Sequence, residues 1–205
     1  PFDADAVAAD SVALHEQYFA DLCQVLGRDP ARFRLESGLF FATRVFAGLD
    51  RANTPTISVD LAFDYWLFAL TQVSAVATFI PPDDRPMAQL TRVTDQLMAF
   101  FVDASVFEDV RHSMLPLITE YSELLNLTHG LARAMLVFVL CHEIAHIEAG
   151  HLHEPASRDH ELAADQAAAG LFLDVVQAGE RAHATHIFID PKISCAPLLL
   201  TAFLD

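Results

Sequence analysis

Apolar residues recur at helical spacing over most of the chain. In residues 5–26, Leu14, Tyr18, Leu22 and Val25 fall three or four apart, the period of one helix face, and Gly27 to Pro30 end the element. Residues 31–47 show no decisive period and fit either a helix or strands. Asn53 to Pro55 has turn chemistry, and the β-branched Thr56-Ile57-Ser58-Val59 predicts a short strand. Asp60 is placed to cap a helix over 61–80, since its carboxylate can accept a first-turn N–H. After a loop from Pro81 to Pro86, residues 87–110 and 111–126 read as two helices, with Pro116 early in the second. Thr128 predicts the cap of a long helix from about 129 to 149, closed by Gly150. Its Leu131–Cys141 portion is apolar almost all round, which places it in the core. A polar loop over 151–159 leads to a helix over 159–178, where Ala167-Ala168-Ala169-Gly170 would admit a close neighbour. Ile187-Phe188-Ile189 predicts a short strand. The pattern is that of a mainly α fold, α+β with a minor sheet. It forms a single domain over 1–205, with an N-terminal helical part, 1–126, and a second part, 127–205.

Composition narrows the function. Hydrophobic residues make up 53% and charged residues 20% of 205, enough to bury a core and too apolar for a disordered chain. Lys plus Arg total 12 against 28 Asp plus Glu, a net charge of −16. A phosphate backbone would be repelled, so no nucleic-acid partner is expected. Cys23, Cys141 and Cys195 are too few for a disulfide framework or a cysteine-only zinc site. They fit a reducing, cytoplasmic setting, and the opening residues are acidic rather than basic and apolar as in a secretory leader. Tyr65 to Pro82 holds eighteen residues without a charge but includes Thr71, Gln72, Ser74 and Thr78. A spanning helix needs about 20 predominantly apolar residues, so a buried core helix is expected there instead of membrane contact.

The chemistry gathers near the C-terminal end. Seven of ten histidines lie between 142 and 186, namely His142, His146, His151, His153, His160, His183 and His186. Within them stands His142-Glu143-Ile144-Ala145-His146. Residues four apart share a helix face, so two imidazoles can reach one ion while Glu143 reaches a water bound to it. Zinc suits nitrogen and oxygen donors in tetrahedral array. One such match at three positions arises by chance in roughly two of a hundred chains of this composition, the bland alternative being a helix that happens to carry two histidines. Placement at the end of a very apolar helix argues for a ligand, because unpartnered polar groups are costly to bury. A third ligand is expected from Glu161-Leu162-Ala163-Ala164-Asp165, where Glu161 and Asp165 share a face, one ligating and the other orienting an imidazole.

His142-Glu143-x-x-His146 followed by Glu161-x-x-x-Asp165 resembles the gluzincin metallopeptidases of the HtpX and CAAX-prenyl-protease type, over about residues 140–193. The resemblance implies a zincin-like active-site helix pair beside an N-terminal helical bundle, with His142, His146 and Glu161 binding Zn2+. It also implies Glu143 as catalytic base and Asp165 behind a ligand. Thr185-His186 followed by Lys192-Ile193 resembles a downstream element whose histidine steadies the transition state, with Ile187 and Lys192 departing from the family pattern. His183 competes with His186 for that role. A soluble relative, of the phage-exclusion or stress-response HExxH kind, fits better than a membrane protease.

Other residues draw plainer readings. His151 and His153 fall five and seven residues after His146, whereas the metzincin spacing needs six, where Leu152 stands. His160 is expected to point to another helix face and to lie on the surface, and Cys141 to be a core residue. The function expected is a zinc-dependent peptidase acting on a protein or peptide substrate. The alternative is a non-catalytic module in which the same ion stabilises the fold or the cleft binds a partner.

Overall fold

The computed structural model describes residues 4–40 and 44–181. The predicted strand at 187–189 lies outside them. Helix α1 (Ala4–Val25) precedes a three-stranded sheet, β1 (Arg34–Gly38), β2 (Val45–Leu49) and β3 (Pro55–Asp60). Helices α2 (Leu61–Phe79), α3 (Met87–Val102), α4 (Phe107–Glu120), α5 (Leu125–Glu148) and α6 (Arg158–Arg181) follow, with short 3-10 turns between several of them. The fold is mainly α with a minor sheet, and that sheet occupies the ambiguous stretch 31–47 together with the predicted strand.

In the sheet β3 is central, parallel to β1 and antiparallel to β2. The β2–β3 connection is a tight turn held by Asp50, whose Oδ1 accepts from Ala52 N and Thr54 N, each at 2.8 Å. Those backbone donors hold the Asp50 carboxyl below its usual range. Asn53 supplies the left-handed residue of the turn, φ 64°.

Asp60 ends β3 and caps α2, its Oδ1 accepting from Ala62 N at 3.0 Å. The charge-free stretch from Tyr65 is a core helix. Trp66, 1% exposed, donates Nε1–H to Leu97 O of α3 at 3.0 Å. Its polar residues are satisfied within the protein, since Thr71 Oγ1 bonds Leu67 O and Gln72 Oε1 accepts from Thr128 Oγ1 at 2.6 Å.

That last bond overturns the assignment of Thr128 as a cap. A 3-10 turn at Ser122–Leu124 runs directly into α5, which starts at Leu125, and the Thr128 hydroxyl turns to α2 instead of to its own helix end. Two further boundaries move. The helix predicted over 87–110 ends at Val102, and the next begins at Phe107, which puts Pro116 well inside α4 rather than near its start. The buried face of α1 is Phe19, Leu22 and Cys23, continued by Leu26 just after the helix and rotated from the predicted stripe, so Leu14 is 46% exposed. The polar side of that face binds the sheet and α2. His15 Nδ1 lies 2.6 Å from Ser37 Oγ, and its Nε2 bonds Asp64 Oδ2.

Helix α5 runs through the centre. Among the described residues, Ser122–Glu148, rather than the charge-free Tyr65–Pro82 stretch, is long and apolar enough to cross a membrane by length and composition. Here its Ala134, Met135, Val137, Leu140, Cys141 and Ile144 are buried against neighbouring elements. Burial pushes the Cys141 thiol up, so it is a packing residue. Gly150, φ +76°, follows the helix end and reverses the chain. Helix α6 packs on α5 through Ala164, Ala168, Phe172 and Val175, a stripe at helical spacing. Phe172 meets Phe138 edge-on at 5.9 Å. Of the predicted small-residue run, Ala168 alone makes this approach; Ala167, Ala169 and Gly170 are exposed.

Candidate active site

The last two turns of α5 carry His142 and His146 on the face turned toward α6. Their Nε2 atoms lie 3.0 Å apart, and Glu161 Oε2 lies 3.4 Å from each. Glu161 is on the first turn of α6, whose start is fixed by Ser157: its Oγ accepts from His160 N at 3.2 Å and its carbonyl from Glu161 N at 3.2 Å. One turn along, Asp165 Oδ1 lies 2.8 Å from His142 Nδ1. The stripe that packs α6 onto α5 thus delivers both carboxylates to the histidines from the flank.

This donor set fits a zinc ion. Two ligands at 2.0–2.1 Å on a tetrahedral centre lie about 3.3–3.4 Å apart, close to the three separations observed. Among the described residues these three side chains bring ligating atoms within 4.8 Å of one another. Their protonation agrees. His142 Nδ1 donates to the Asp165 carboxylate, leaving its lone pair on Nε2. Burial first, then the neighbouring His142, hold the His146 imidazole below the usual histidine range, a shift toward the form that can bind a metal.

Glu143 points elsewhere. It is 8% exposed, and its Oε2 accepts from Ala47 N of β2 at 2.6 Å. Burial pushes its carboxyl up to about 7, the Ala47 N–H pulls it down, and Glu161 adds a smaller upward push. A carboxyl near neutrality beside a donor triangle has the properties of a general base. The β2 residues Val45–Gly48 wall one side of a cleft of about 420 Å³, also lined by His142, His146, Leu152, Ala156 and Glu161.

His142, Glu143, His146, Glu161 and Asp165 are therefore brought together. His183 and His186, with Thr185, Lys192 and Ile193, lie outside the described residues. His160 departs from expectation: it is half-buried in the cleft wall, its ring stacked on His151 at 4.2 Å and 9°. His151 is within 3.0 Å of His146, while His153 is exposed. The left-handed Gly150 was the available signal, because a reversal there returns the next residues toward His146. Ala47 carried no signal, being a small residue 96 positions from its partner.

The sequence model of the Peptidase U49 family matches residues 90–192, a span that starts within α3 and includes His142, Glu143, His146, Glu161 and Asp165. No curated protein and no solved structure matches the chain significantly. The match reaches back well before the region of motif resemblance, into the helices that pack around α5. Covering half of the sequence, it shows that the chain belongs to the Peptidase U49 family.

Proposed function

We propose that this peptidase is a zinc-dependent endopeptidase of gluzincin type, in which His142, His146 and Glu161 hold the ion and Asp165 orients His142. Bound there, zinc would supply the Lewis acidity that lowers the pKa of a coordinated water toward about 7. Glu143 takes the proton of the attacking water and passes it to the leaving amine of the substrate. One of its oxygens is committed to Ala47 N, which leaves Oε1 for this transfer. Among the described residues, strand β2 pairs with β3 along one edge only. Its other edge borders the cleft, where an extended peptide could add as a further strand.

The observation that carries the reading is the buried Glu143, anchored by a backbone N–H next to three converging ligand atoms. A metal that only stabilised the fold would have no use for it. The large apolar core around Trp66, Phe100, Met114 and Leu140 also supplies stability independent of an ion. The test is hydrolysis of unfolded protein substrates by the zinc-loaded chain against its Glu143→Gln variant. Zinc content should be unchanged, and turnover should fall by about 10²–10⁴-fold, the usual weight of a general base. Full turnover in the zinc-loaded variant rejects the assignment.

A further inference from the structure

We propose that His151 is the positioning residue of His146, accepting its Nδ1–H and thereby holding Nε2 toward the ion. The inference rests on the reading of His142, His146 and Glu161 as ligands. Each ligating imidazole needs an acceptor at the nitrogen that does not bind metal, because that bond fixes the tautomer and the ring plane. His142 has Asp165. Among the described residues no carboxylate meets Nδ1 of His146; what faces that atom, at 3.0 Å, is Nδ1 of His151. Two ring nitrogens can bond only if one carries a hydrogen and the other a lone pair. With the lone pair of His146 on Nε2, its Nδ1 donates, and His151 accepts at Nδ1 and carries its own hydrogen on Nε2.

The backbone places His151 for this. Helix α5 closes with Ala149 N bonded to Ala145 O, and Gly150 at φ +76° turns the chain into the 3-10 turn His151–His153. The next side chain after the glycine therefore lies back along the helix, beside His146. Its ring is braced from the far side. His160 stacks on it, and His160 Nε2 is 3.1 Å from Glu154 Oε2. The two ligands are thus held by different groups, His142 by a carboxylate and His146 by an imidazole.

The test uses the full chain and zinc itself, with affinity measured by competition against a chelator. His151→Phe keeps a flat ring against His160 but removes the acceptor. His151→Asn restores an acceptor at nearly the Nδ1 position. The Phe variant should lose about 10–100-fold in zinc affinity and the Asn variant should recover most of it, with apo-protein melting temperatures alike. Should the Phe variant fail to fold, His151→Ala against His151→Asn provides the same contrast. Wild-type affinity in the Phe (or Ala) variant overturns the proposal, as does an Asn variant as weak as it. The ligand reading is checked separately. A wild-type chain that binds no zinc, or a His142→Ala variant that binds as well as wild type, overturns that reading and His151 with it.

Discussion

The backbone N–H of Ala47 donates to Glu143 Oε2 at 2.6 Å, joining an edge strand to the glutamate of the HExxH helix turn. The bond satisfies a carboxylate in a position where burial alone would neutralise it, and it aims the side chain. It also places β2 along the cleft. One contact thus sets the proposed base and one wall of the cleft together.

Replacing Ala47 by proline removes this donor without removing a bond to β3, since the N–H is already engaged away from the sheet. A hydrogen bond to a charged group is worth about 1.5–3 kcal/mol. The variant should hydrolyse peptide at least tenfold more slowly while binding zinc as the parent does. Steady-state kinetics with metal analysis checks this, and unchanged kcat/KM counts against the anchoring role.

Glu161 and Asp165 should separate by severity. Glu161→Ala deletes the proposed ligand atom, 3.4 Å from both imidazole nitrogens, and should leave the purified protein essentially free of zinc. Asp165→Asn keeps the shape but weakens the hold on His142, and should cost about 10–100-fold in affinity. Mass-spectrometric metal content and chelator competition give both numbers. Full zinc in the Glu161 variant shows that the third ligand is misassigned.

Chelation should abolish hydrolysis and leave the fold in place, because the buried core of α2, α3 and α5 owes nothing to the site. Far-UV circular dichroism before and after chelation, with activity restored by added zinc, is the measurement. A protein that unfolds on losing its metal is the structural module instead.

Much of this organisation could be read in the chain because the signals were local. Asp60 ahead of an apolar helix, a left-handed Gly150 at a helix end, and two histidines four apart each act within one or two turns. What escaped reading depended on distance in sequence. Thr128 has the chemistry of a cap, yet its hydroxyl is taken by Gln72, 56 residues away. Residues 31–47 showed no period because β1 and β2 are short and half-buried, with neither face polar enough to alternate. His160 was judged by its angle from Glu161 on one helix, whereas its place is set by His151, on a turn that comes before that helix. The site residues on α5 and α6 were visible; the strand and the turn that frame them were not.

Anomalous diffraction at the zinc edge from crystals grown with the metal tests the central claim most directly. One peak is predicted about 2.0–2.2 Å from His142 Nε2, His146 Nε2 and Glu161 Oε2 together. Zinc bound elsewhere in the crystal, with these three side chains turned apart and no peak among them, contradicts the account.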